Sequence, residues 1–204
     1  MREKNPRAPS ETPYDFVMMA LVASEDEGLL VLPTHRVVRS LAPCSKEIFF
    51  NRLKDRFDFL PSPPEKLFEA LSTRPPDEKV FGAIFGAKES FVIRVKNLEA
   101  IHASLPQAKP AIWYEMEVNL LSHFVFDVLW GVPEERRRNV VKYTHFSGEA
   151  VQAVQSGKAE VAFLLRPPAV DTVRELAYAG ERLPQKTTYF YPKLASGLFF
   201  YHQG

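Results

Sequence analysis

The sequence predicts an α+β fold whose second half is α/β-like, with mixed sheets packed by helices in one compact unit or two small subdomains. Composition is the first ground. Of 204 residues, 46% are hydrophobic and 25% charged, which is enough apolar matter for a true core. Patterning is the second. Short apolar runs of strand length, bounded by Gly and Pro, interleave with segments whose apolar residues recur every three or four positions. A third observation limits the chemistry: 9 Gly stand against 17 Pro, where average usage gives roughly 14 and 10. Glycine-rich phosphate loops are scarce from the outset.

Residues 1–13 read as an extended lead-in, because Pro6, Pro9 and Pro13 block regular structure. Tyr14 to Ala23 is apolar nearly throughout, as a buried strand would be. The acidic turn Ser24 to Gly28 joins it to a second strand, Leu29 to Leu32, so a hairpin is expected. Val37 to Arg39 continues as a short edge strand. Ser45 opens a helix through Arg56, with Ile48, Phe49 and Leu53 on one face. Pro63 and Pro64 precede a helix from Glu65 to Ser72. Val80 to Phe85 and Phe91 to Lys96 alternate as paired strands around Gly86.

Asn97 to Pro110 is polar and proline-ended, and it forms the best internal boundary. It divides the chain into an α+β subdomain, 14–105, and an α/β subdomain, 106–204, packed as one unit. Beyond it a helix runs to Gly131. Strand, helix, strand and helix follow over 140–143, 148–155, 160–165 and 170–179, with two of the strands expected to be neighbours. A last strand, Leu198 to Tyr201, closes the sheet.

Lys+Arg 26 against Asp+Glu 25 excludes a generally basic, nucleic-acid-coating protein and an acidic tail protein alike. A single cysteine, Cys44, excludes an internal disulfide and any multi-cysteine metal site. His102, His123, His145 and His202 lack the spacing of metal ligands, so no metal site is expected. Arg136 to Arg138 follow Glu134 and Glu135 and read as a solvated turn. The start runs into polar, proline-rich sequence, and the longest apolar stretches are about eight residues, far short of a bilayer span. A cytoplasmic protein without membrane contact is expected.

Two stretches could carry chemistry. In Pro33-Thr-His-Arg36, His35 and Arg36 follow a strand end, which would put a titratable ring and a bidentate anion fork on a loop. The alternative is that Arg36 pairs with a local carboxylate and His35 caps a turn. Gly180 to Lys193 carries Arg182, Lys186 and Lys193, an amide from Gln185, and hydroxyls from Thr187, Thr188, Tyr189 and Tyr191. Donors interleaved with rings suit a phosphate, a carboxylate or a nucleotide. The alternative is a basic surface loop leading into a buried strand. A Walker phosphate loop is rejected. The segment follows a helix, not a strand, and Pro184 lacks a backbone donor such a loop needs.

Gly28 to Arg36 and Leu183 to Leu198 resemble hallmark motifs of the domain-of-unknown-function 1015 family. Glu117 to Gly131 sits where members have an acidic residue opening a Leu-rich helix, and Val161 to Pro167 resembles the family's strand ending in proline. Relatives are longer, with an upstream Asp-Gly-His-His-Arg box similar to that of ParB-like and free-serine-kinase proteins, which bind nucleotides. The resemblance implies that this chain corresponds to the C-terminal portion.

The reading that follows is the C-terminal part of a small-molecule or nucleotide phosphate-binding, kinase-like protein, not catalytically complete alone. His35, Arg36, Gln185, Lys186, Thr187, Tyr189, Tyr191 and Lys193 would contact a phosphorylated or carboxylate small molecule. ATP or ADP with magnesium would enter only if the upstream segment is supplied, and whether the chain is an enzyme stays open. The alternative is a non-catalytic association module forming a homodimer or partner complex, with Phe16, Phe81, Phe85 and Phe199-Phe200 as candidates for an exposed face.

Overall fold

The computed structural model describes residues 15–41, 44–105, 109–132 and 134–200. The chain divides into a larger unit, Val31–Tyr189, and a smaller one made from the residues on either side of it. The elements run in chain order as β1 (Leu30–Leu32), β2 (His35–Val38), α1 (Lys46–Leu53), β3 (Phe57–Pro61), a 3₁₀ turn (Pro64–Lys66) leading into α2 (Leu67–Ser72), β4 (Val80–Ile84), β5 (Ser90–Val95) and α3 (Leu98–His102). Two short helices, α4 (Ala111–Glu115) and α5 (Glu117–Asn119), enter a π-helix, Leu120–Trp130. Then come α6 (Glu134–Val140), β6 (Val141–Thr144), α7 (Ser147–Gln155), β7 (Val161–Leu164), α8 (Val170–Tyr178) and β8 (Tyr189–Tyr191).

Six strands form one sheet in the order β3-β5-β4-β7-β2-β6, and β1 pairs with β8 in a second, two-stranded sheet. Every neighbouring pair in the large sheet is antiparallel. Side chains alternate between its two faces. On one face Val38, Phe81, Ile93 and Phe163 pack with Phe49 and Leu53 of α1 and with Leu121, Phe124 and Val125 of the π-helix. On the other, Val37, Ile84, Val92 and Leu164 pack with Leu67 and Leu71 of α2 and with Ala150, Val151 and Val154 of α7. The sheet is buried between helices on both faces, which is why its strands read as continuous apolar runs.

Local chemistry fixes several boundaries. Ser45 Oγ accepts the Ile48 N–H at 3.3 Å and caps α1. A Cβ on Gly82 would sit 2.9 Å from Leu67 Cδ2, so the glycine lets α2 lie close against β4. Gly131, at φ 71°, turns the chain out of the π-helix in the left-handed conformation.

The structure corrects several expectations. Residues 16–23 contain no strand, and β1 pairs with β8 instead of forming a hairpin with them. β2 is an interior strand between β7 and β6, not an edge. β6 and β7 are therefore not neighbours, since β2 lies between them and pairs antiparallel with both. β3 lies in a stretch with no predicted element. α3 falls inside the expected boundary segment because Asn97 Oδ1 accepts the Ala100 N–H at 2.9 Å and caps it. No strand covers Leu198–Phe200. Arg137 is not in a solvated turn: it is buried on α6 and paired with Asp127. Phe81 is fully buried, whereas Phe16, Phe199 and Phe200 are exposed. The lead-in before residue 14 and Tyr201 lie outside the described residues. Among the described residues, no helix is long and apolar enough to cross a membrane.

Candidate functional site

A concavity of the larger unit lies at one end of the six-stranded sheet. β2 and β4 enter there, and β7 leaves. It is a cleft of about 530 Å³ whose lining includes Thr34, Arg36, Lys79, Glu117, Arg166 and Thr187. Antiparallel pairing of β2 with β7 and of β7 with β4 brings segments around residues 34–36, 79–80 and 165–167 to this common edge.

Arg36 forms the floor of the cleft. It belongs to β2, opposite Phe163 on one side and Tyr143 on the other. The pleat sends its side chain to the face opposite that of His35. The guanidinium is 2% exposed. It donates through Nη1 to the Thr34 carbonyl and through Nη2 to the Lys186 carbonyl at 3.4 Å, and it lies 5.6 Å from the centre of the Tyr143 ring. None of the ion pairs among the described residues includes Arg36. Burial is the main cause that lowers its pKa to about 10, and the Arg137 charge adds to it against the opposing pull of Tyr143. A buried cation held by carbonyls and a ring, with no carboxylate, is electrostatically incomplete.

The loop after α8 comes to meet it. Lys186 adopts the left-handed conformation, φ 61°, which β-carbon sterics disfavour, and its carbonyl is an acceptor for Arg36. Thr187 is buried in the cleft wall and donates to the Pro184 carbonyl at 2.6 Å. The segment follows a helix, as the rejection of a phosphate loop requires.

The opposite wall is built on Arg166, just past β7. Its guanidinium donates to the carbonyls of Arg74 at 3.2 Å, Pro75 at 3.0 Å and Glu78 at 2.6 Å, and Nε donates to Glu117 Oε1 at 3.0 Å. Nη2 contacts the same carboxylate oxygen, and the Val80 N–H donates to it at 3.3 Å. Burial raises the pKa of Glu117, and the bonds and charge of Arg166 oppose that rise. Arg166, Lys79 and Arg74 had no sequence signal of their own, and Glu117 was marked only as the acidic residue opening a family-like stretch. Glu117 and Arg166 do fall within two of the family-like stretches, and the fold joins those stretches here.

Of the sequence-predicted residues, the cleft gathers Arg36, Thr187 and the backbone of Lys186. The side chains of Gln185 and Lys186 are exposed. Tyr189 stacks on His145, ring centres 3.7 Å apart, and His145 Nδ1 is 3.0 Å from the Pro33 carbonyl. Tyr191 and Lys193 are exposed in the smaller unit. His35 is in a strand, not on a loop. Its Nδ1 accepts the Leu165 N–H at 3.2 Å, its ring meets Phe68 edge-on at 5.3 Å, and it does not line the cleft. Burial, reinforced by the charge of Arg36, lowers its pKa to about 4, so the ring is neutral at pH 7. Among the described residues, no group of three or more His, Cys, Asp or Glu could hold a metal ion.

The architecture is that of an α+β protein with helices on both faces of an antiparallel sheet. It shares its fold with a conserved hypothetical protein from Pyrococcus furiosus, at TM-score 0.50 and 18% identity over 84% of this chain and 60% of that one. Two structures of free serine kinase are also similar. One, in complex with AMP, has TM-score 0.48 and 16% identity over 84% of this chain and 57% of that one; the other, a mutant in complex with ADP, has 0.47 and 15% over the same shares. The chain thus spans about 60% of the length of these solved structures. It belongs to the family described as "Protein of unknown function (DUF1015)", whose model matches residues 1–119. No curated protein matches it.

Proposed function

We propose that the cleft binds a small molecule through a phosphate or carboxylate group, with Arg36 as the counter-ion. The observation that carries this reading is the guanidinium itself: fully buried, on the floor of a cleft, and without an ion-pair partner among the described residues. Carbonyls hold two of its edges and a phenol ring lies beneath it, so an incoming oxyanion would complete its shell by charge-assisted hydrogen bonds. Thr34 and Thr187 supply hydroxyls at the same place. A nucleotide phosphate is one form of such an anion. In a longer kinase-like protein the cleft would position the ligand, and a segment outside it would supply the chemistry.

Isothermal titration of ATP, ADP and phosphoserine into wild type, Arg36→Met and Lys186→Ala tests this. At least one ligand should bind wild type and Lys186→Ala, and binding should fall at least 10-fold in a folded Arg36→Met. No binding to folded wild type overturns the proposal. The second reading, an association module, is favoured by one observation in the smaller unit. Phe16, Val17, Met18, Met19, Leu21 and Val22 form an exposed apolar run there, and Leu198, Phe199 and Phe200 are exposed as well. Light scattering that gives a clean monomer would remove it.

A further inference from the structure

The charge pattern of the cleft narrows the chemistry of its ligand. Among the described residues, four cationic side chains line it: Arg36, Arg74, Lys79 and Arg166. Three of them already face a carboxylate. Arg74 is 3.5 Å from Glu78, Lys79 is 3.5 Å from Glu115, and Arg166 is bonded to Glu117. Arg166 is further occupied by three backbone carbonyls. Glu115 and Glu117 themselves line the cleft, so a second anionic group away from Arg36 would meet carboxylates and bound cations. One positive charge remains to be matched. Much of the remaining lining is apolar: Ile112, Met116, Val118, Leu165, Pro167 and Ala169. Such a surface stabilises an uncharged, water-avoiding body and penalises a chain of phosphates, whose oxygens would lose water without gaining donors.

We infer that the cleft takes an amphiphile with one anionic head group, a carboxylate or a phosphate, at Arg36 and an apolar body along the Ile112–Met116–Leu165 wall. This rests on the anion-binding reading of the same cleft and adds two statements to it. Affinity grows with the apolar body, and it does not grow with the number of anionic groups. Arg36 selects the head. The α4 and β7 ends select the body.

Calorimetric titration of the full chain, with EDTA present so that only the protein's own cations meet the ligand, separates the two levels. The probes are butyrate, octanoate, inorganic phosphate and tripolyphosphate. Octanoate should bind at least 10-fold more tightly than butyrate, and tripolyphosphate should stay within about threefold of phosphate. Ile112→Ser should reduce the octanoate advantage and leave phosphate binding unchanged. Arg36→Met, shown by circular dichroism to be folded, should lose all four. Tripolyphosphate binding 10-fold or more tightly than phosphate overturns the single-head-group inference and leaves the anion cleft standing. So does octanoate no better than butyrate. Failure of every probe to bind folded wild type overturns both.

Discussion

Two arginines face the same cleft, Arg36 buried and Arg166 half-buried, and they have opposite surroundings. Arg166 meets three carbonyls and a carboxylate that itself accepts a backbone N–H. It fastens the end of β7 to the start of β4 and to the entry of α5. Arg36 is more deeply buried and meets two carbonyls and a ring, with no carboxylate contact among the described residues. The difference teaches that residue type and burial do not distinguish a structural cation from a functional one. What distinguishes them is whether the folded chain supplies the counter-charge. Arg166 is completed by the fold, whereas on the proposed reading Arg36 is completed by a bound anion.

The largest expected effect is on the completed side. Arg166→Met leaves Glu117 without its arginine and removes a donor from each of three carbonyls, which should destabilise the protein by about 3–5 kcal/mol. Urea unfolding at pH 7 measures it. A loss below about 1 kcal/mol would mean that the Arg166 side is no more structural than the Arg36 side.

The next effect belongs to His35, which shares β2 with Arg36 and points to the other face. Its folded pKa of about 4 lies below the ordinary 6.5, so the native state favours the neutral ring and the unfolded chain binds the extra proton. The stability it contributes is fully present above pH 6.5 and is lost as pH falls from 6.5 toward 4. The full shift corresponds to about 3 kcal/mol. Denaturation midpoints across that window should show a steep acid loss that His35→Asn, which keeps an acceptor for the Leu165 N–H, flattens. Equal slopes in both proteins would assign the acid sensitivity elsewhere.

A smaller effect is expected at Thr187. Its hydroxyl closes the loop onto Pro184, so Thr187→Val should lower stability by about 1 kcal/mol in thermal melts and leave the fold intact.

Much of the fold could be read from local signals. Ser45 before an apolar-periodic run marks α1, and alternation around Gly86 marks β4 and β5, because both signals lie within a few residues. Tertiary partners could not be read in the same way. Phe16 to Val22 has the composition of a buried strand yet is exposed, since apolar sequence does not state what covers it. β3 is a five-residue strand that follows charged residues and ends on Pro61, and it is held by pairing with β5, 30 or more residues away. At the site, the sequence placed His35 and Arg36 together on a loop. Their separation onto opposite faces follows from strand pairing, which is a long-range fact. The Glu117–Arg166 pair spans 49 residues, so no spacing rule could join it. The lone anion fork at Arg36 and the hydroxyl at Thr187 were visible as residue types, and the fold supplied the cleft that unites them.

The comparison of the two arginines is tested most directly by melting wild type and Arg36→Met with and without inorganic phosphate. Removing an uncompensated buried charge should change stability by no more than about 1 kcal/mol. Phosphate should raise the melting temperature of wild type by mass action and leave that of Arg36→Met unmoved. A collapse of Arg36→Met comparable to that of Arg166→Met would contradict the account, as would equal stabilisation of both proteins by phosphate, because Arg36 would then be a structural cation like its neighbour.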